Sequence, residues 1–154
     1  MRRLEGFQRG INLGGWLSQG PLDKHHLDTF IVEDDIKKIA GWGADHVRLP
    51  LDYENVETEE GGDIEEGYRH IEDCISWCRK YNLNMVLDLH KTPGYIFDDQ
   101  DYSKDFFHNE ELQERFLNLW KKIISRLAKD ADIVMFELLN EVASFNVVDE
   151  WNEL

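Results

Sequence analysis

Residues Ile64 to His90 read IEEGYRHIEDCISWCRKYNLNMVLDLH. In the first part, Ile64, Tyr68, Ile71, Ile75 and Cys78 recur at steps of 4, 3, 4 and 3. That spacing is a single apolar stripe on a helix of 3.6 residues per turn. Leu83 to Leu89 is then largely apolar without strict alternation, the pattern of a strand covered on both faces. A half-buried helix running directly into a fully buried strand is the unit from which parallel α/β folds are built.

The same unit recurs on either side. Phe7 to Trp16 reads as a first strand that enters a Gly-rich turn. Residues 29 to 41 read as a short helix with Val32, Ile36, Ile39 and Ala40 on one side, and Ala44 to Leu49 as a second strand stopped by Pro50. After the third strand, Leu112, Phe116, Trp120, Ile123 and Leu127 mark another helix, with Asn109 as its N-cap and Glu110 and Glu111 at the positive end of the dipole. Ile133 to Leu139 is the fourth strand, and Asp149 to Leu154 has the look of a helix beginning. The expectation is one domain over residues 1–154, organised βαβαβαβ with parallel strands. Two architectures accommodate it, a doubly wound sheet and part of a (β/α)8 barrel. A complete barrel takes about 250 residues, and the chain has 154.

Composition narrows the function. Asp and Glu number 32 against 17 Lys and Arg, a net charge of −15. Such a chain repels phosphate backbones and anionic lipid, so no nucleic acid and no membrane partner is expected. No apolar stretch of transmembrane length occurs. Met1-Arg2-Arg3-Leu4 is followed by no apolar run of the kind found in a secretory leader, which leaves the compartment open. Cys74 and Cys78, spaced C-x3-C, read as two reduced helix residues near a core, outside the C-x2-C redox or zinc pattern. No cofactor motif is found. Gly10-Ile11-Asn12-Leu13-Gly14-Gly15 is neither a dinucleotide fingerprint nor a P-loop, and His25-His26 have no partner at zinc-ligand spacing.

The polar residues fall at strand ends. Arg48 lies in the last turn of the second strand, His90 directly follows the third, and Asn140 and Glu141 directly follow the fourth. Parallel α/β folds bind ligands outside the carboxyl ends of their strands, so these residues share one rim. A strand-end glutamate beside an amide and near a histidine suits a general acid with a raised pKa. Asn140 and His90 would hold substrate hydroxyls, and Arg48 would orient a second carboxylate. Each residue taken singly would also serve as a salt bridge or a loop hydrogen bond. Glu137 shares a face with Glu141 by period-2 alternation, and a structural place in the sheet beside a basic group is expected for it. The loop from Lys91 to His108 carries Tyr95, Phe97, Tyr102, Phe106 and Phe107 among four aspartates. It is either a sugar-binding wall, with Tyr95 and Phe97 as its substrate contacts, or a set of rings pinning a long loop. The acid-rich run Asp52 to Glu66 reads as a solvated loop.

Four segments carry a family resemblance: Gly10-Ile11-Asn12-Leu13-Gly14-Gly15-Trp16, His46-Val47-Arg48-Leu49-Pro50, Val86-Leu87-Asp88-Leu89-His90 and Phe136-Glu137-Leu138-Leu139-Asn140-Glu141. In this order and spacing they resemble the N-terminal half of a glycoside hydrolase family 5 enzyme of the clostridial endoglucanase C type, one of the retaining β-glycanases that include the cellulases. The resemblance implies the first four βα units of a (β/α)8 barrel acting on β-glucan. It implies Glu141 as acid/base, Asn140 as the substrate-binding amide, and Arg48 and His90 as the active-site arginine and histidine. Val142 stands where many members have proline, and Lys91 where some have a second histidine. The family's nucleophile glutamate belongs to a seventh strand, so the resemblance implies a chain that lacks one catalytic carboxylate. Self-association or a complementary C-terminal half-barrel would then complete it. A non-catalytic half-barrel scaffold, binding carbohydrate without cleaving it, is the alternative reading.

Overall fold

A computed structural model describes residues 5–97, 106–143 and 147–154. Four parallel strands form its centre: β1 (Gly10–Asn12), β2 (His46–Asp52), β3 (Asn84–Thr92) and β5 (Val134–Glu137). Their spatial order follows the chain, with β1 beside β2, β2 beside β3 and β3 beside β5. A doubly wound sheet reverses its strand order at a switch point, whereas a barrel advances in one direction. The advance seen here excludes the first architecture and gives the opening half of a (β/α)8 barrel. A two-residue antiparallel strand, β4 (Tyr95–Ile96), adds to the far end of β3 through Thr92.

Alternation divides the sheet into two unlike faces. Val47, Leu49 and Leu51 of β2 and Met85, Leu87 and Leu89 of β3 are wholly buried in the main core. Against them pack α2 (Glu33–Gly41), α3 (Glu65–Lys80) and α4 (Glu110–Leu127), through Ile36 and Ile39, Tyr68, Ile71 and Ile75, and Phe116, Leu119 and Ile123. The opposite face carries His46, Arg48, Asn84, Val86 and His90, all half-buried. One face is therefore a finished core and the other is only partly covered. Cys74 and Cys78 lie on the buried stripe of α3 as free thiols. The hydrogen bond with the neighbouring Cys78 sulfur, and then burial, push the Cys74 thiol well above its ordinary range.

The helix stripes of α3 and α4 fall where their spacing puts them. Asn109 Oδ1 accepts from the backbone N–H groups of Glu111 at 3.0 Å and Leu112 at 3.3 Å, capping α4 as expected. The strands depart from the sequence reading. β1 is three residues long, because the chain leaves the sheet at Leu13 and enters the Gly-rich turn. Pro50 does not stop β2. Leu13 N donates to Arg48 O and Asp52 N donates to Leu17 O, so alternate residues of β2 face the β1 side. Pro50 has no N–H to offer on that side, but β1 has already ended at Asn12 and no ladder bond is lost. Residues 29 to 41 are not one helix. The chain breaks between α1 (Lys24–Thr29) and α2, where Val32 is extended and its N–H is bonded to Asp35 Oδ2 at 3.2 Å. A short α5 (Val148–Glu153) forms near the expected place.

The acid-rich run is solvated only in part: Glu59 and Glu60 are exposed as expected, whereas Glu57 is not. Glu57 is 3% exposed, and Arg115 Nε of α4 donates to its Oε2 at 2.7 Å. Asp63 meets Lys122 at 2.9 Å, and the Arg126 guanidinium lies 4.1 Å from the Tyr68 ring centre. These cations sit more than 50 residues downstream, so local composition showed the acids without their partners.

Candidate active site

Arg48 organises the rim. It projects from β2 onto the partly covered face, between Asn12 of β1 and Val86 of β3 in register. Its Nε donates to Glu137 Oε2 at 2.7 Å and its Nη2 to Glu137 Oε1 at 2.9 Å, a two-pronged pair across the sheet. Nη2 also reaches Asn140 Oδ1 at 2.9 Å and Asp88 Oδ2 at 2.8 Å, while Nη1 donates to Asn12 Oδ1 at 3.0 Å. One guanidinium thus ties together side chains from β1, β3, β5 and the turn after β5. The Glu137 hydrogen bond is the main cause that raises the Arg48 pKa further above its ordinary value. Glu137 takes the in-sheet place beside a basic group that its parity predicts.

Asn140 is buried, and its backbone N donates to Leu89 O at 3.1 Å, prolonging the β3–β5 ladder past Glu137. Glu141 follows at the exposed rim with φ +48°. A glutamate in the left-handed region costs about 1–2 kcal/mol relative to its ordinary conformations. Tyr95 holds the turn: its hydroxyl lies 3.1 Å from Asn140 O and 2.9 Å from Glu141 O. The Tyr95 ring packs edge-on against Phe107 and tilted against Phe106. Tyr95 is 4% exposed, and burial pushes its hydroxyl up to about 12, so it stays a neutral donor. It braces the main chain under the glutamate and does not offer a ring face at the rim. Phe97 is 36% exposed. Phe106 and Phe107 are core residues, so this part of the loop is pinned. Tyr102 and the four aspartates of the loop lie outside the described residues.

His90 sits inside β3, two residues before its end, and its Nδ1 is 2.7 Å from Asp88 Oδ2. Arg48 is likewise interior to β2, which runs on through Pro50 to Asp52. The structure therefore brings Arg48, His90, Asn140 and Glu141 to one end of neighbouring strands, where Asp88 links Arg48 to His90 and Arg48 in turn holds Asn140. Asp88 was not singled out from the sequence; its signal was a charge at an alternate position of a buried strand. Lys91 turns to the other side, where it pairs with Glu54 and lies 5.6 Å from the Tyr53 ring centre.

Among the described residues, Asp28, Glu66 and His70 bring ligand-type atoms within 4.8 Å of one another. Arg69 Nη2 already stands 3.0 Å from Asp28, 3.4 Å from Glu66 and 3.4 Å from His70. A side-chain cation holds that position.

Comparison with known proteins places the arrangement. Residues 11–154 match the family described as Cellulase (glycosyl hydrolase family 5). Cellodextrinase A of Ruminococcus flavefaciens is 49% identical over 154 residues, all of this chain and 46% of the relative. Endoglucanase C of Acetivibrio thermocellus is 45% identical over 151 residues, 96% of this chain and 43% of the relative. The chain thus spans less than half the length of these curated relatives. Among solved structures, Thermotoga maritima Cel5A in complex with cellobiose superposes with a TM-score of 0.72 at 25% identity, covering 96% of this chain and 45% of that one.

Proposed function

The chain belongs to the cellulase family, glycosyl hydrolase family 5, and from that premise we propose that it forms the acid/base half of a retaining β-glucan endo-hydrolase. The observation that carries this is Glu141: a solvent-facing carboxylate kept in a left-handed backbone conformation by the buried Tyr95 hydroxyl. Strained non-glycine backbone concentrates where geometry serves a site. Glu141 protonates the glycosidic oxygen and later activates water. Asn140, fixed by Arg48, holds a sugar hydroxyl, and His90 another. Phe97 offers an apolar contact at the same end.

Retaining hydrolysis needs a second carboxylate about 5–5.5 Å from the first. Glu137 is engaged by two nitrogens of Arg48, and Asp88 by Arg48 and His90. Neither is available as a nucleophile. On this reading the nucleophile comes from strands outside these four, such as those of a complementary C-terminal half-barrel. The test uses an aryl β-cellobioside with an activated leaving group. The 154-residue chain alone should give no turnover that depends on Glu141. Supplying the C-terminal half of Cellodextrinase A should bring turnover, and Glu141→Gln should then lower it by about 10²–10⁴-fold. Cello-oligosaccharide binding with no turnover under either condition would favour the scaffold reading and sink this one.

A further inference from the structure

Among the described residues Asp88 is the most deeply buried charged side chain, 0% exposed. In register it faces Pro50 on β2 and Glu137 on β5. Neither the Pro50 ring nor the Glu137 carboxylate has a hydrogen to donate to it. Its partners come from elsewhere: His90 Nδ1 stands 2.7 Å from Oδ2, and Arg48 Nη2 lies 2.8 Å from the same oxygen as an ion pair, its own hydrogens going to Glu137 and Asn140. Oδ1 is buried with no partner. Burial pushes the Asp88 carboxyl above the usual carboxylate range, and His90 and Arg48 pull it back. The Arg48 cation beside the same oxygen favours the carboxylate form, and a carboxylate can only accept. The hydrogen of the His90 contact must then sit on Nδ1.

We propose that Asp88 is a positioning residue that fixes His90 as the Nδ1–H tautomer, so that Nε2 presents a lone pair at the rim. A neutral imidazole carries one donor and one acceptor, and the partner of one nitrogen decides the role of the other. A sugar hydroxyl meeting His90 must then donate its proton to Nε2. Resting on the functional reading above, this makes His90 a selector for a hydroxyl. A deoxyfluoro sugar, whose fluorine cannot donate, should lose the contact as fully as the deoxy sugar does. The same carboxylate oxygen links His90 to Arg48, so the histidine is held in register with the group that fixes Asn140.

Long-range ¹H–¹⁵N NMR on the ¹⁵N-labelled 154-residue chain tests this, at a pH where the imidazoles are neutral. His90 is assigned by the signals missing in His90→Gln. The expected pattern is a pyrrole-type Nδ1 and a pyridine-type Nε2. A protonated Nε2 in the unsubstituted chain overturns the proposal without need of any variant. In Asp88→Ala the two nitrogens should move toward averaged values as both tautomers populate. A folded Asp88→Ala chain that keeps the Nδ1–H pattern would show that Asp88 does not set it. Added cellobiose reads the other question: an unmoved Nε2 counts against the glucan-binding reading, and the tautomer result stands on the ligand-free spectrum.

Discussion

Arg48 spreads its donors over Asn12, Glu137 and Asn140 and forms an ion pair with Asp88. A lysine keeps the charge and loses the planar fork that reaches several acceptors at once. Removing a partner from a fully buried ion pair costs about 3–5 kcal/mol. Glu137 is 36% exposed and a lysine would still meet one acceptor, so Arg48→Lys should cost about 1–2 kcal/mol. Denaturant unfolding measures that. In a catalytically complete assembly the same variant should lower kcat more than it raises KM, since Asn140 would lose its bracing. An unchanged kcat would separate Arg48 from the positioning of the rim. At this scale the sequence was partly legible. Strand-end placement marked Arg48, His90, Asn140 and Glu141, because polar residues interrupting apolar runs are conspicuous. Tyr95 read as a sugar contact because an aromatic in a loop does not reveal which way its ring turns. Here the hydroxyl bonds the backbone beneath Glu141.

Among the elements, the join between the N-terminal residues and β2 has a defined pH response. Asp45 Oδ1 accepts from His46 Nδ1 at 2.7 Å and from the backbone N–H groups of Gln8 and Arg9 at 3.0 and 2.9 Å. The His46 contact and then the Arg9 N–H hold the Asp45 pKa at about 2, below its reference of 3.8. A carboxyl depressed on folding contributes stability that is present above its unfolded pKa and lost as pH falls through the folded one. The Asp45 contribution should therefore disappear between about pH 4 and pH 2. Asp45→Asn should flatten that part of the stability–pH curve and leave the rest unchanged; a slope identical to the parent's would rule Asp45 out. Helices were the most legible elements, since a 3.6-residue period over four turns has few competing explanations. Strand limits were less so. Pro50 reads as a stop until it is known that β1 ends before reaching it. At Gly67 of α3 a Cβ would lie 1.8 Å from Asn55 O. That close approach joins residues whose contact no local pattern signals.

For the whole molecule, the decisive asymmetry is between a sealed helix-side core and a partly open opposite face. β1 and β5 each pair on one side only among the described strands. Unpaired strand edges and a half-covered sheet face favour association. The net charge of −15 opposes it. The 154-residue chain should therefore be mostly monomeric at low ionic strength. It should form larger species as salt shortens the screening length to about 8 Å near 0.15 M. Sedimentation velocity across a salt series checks this, and a monomer at every ionic strength would argue against an open interior face. Completion by another half-barrel would cover that face and leave the helix layer untouched. The buried thiols of Cys74 and Cys78 belong to the helix layer, and neither can meet a reagent while α3 lies on the sheet. They make α3 its own clock: a thiol-reactive dye in excess would record each departure of the helix from the sheet, whatever happens on the other side.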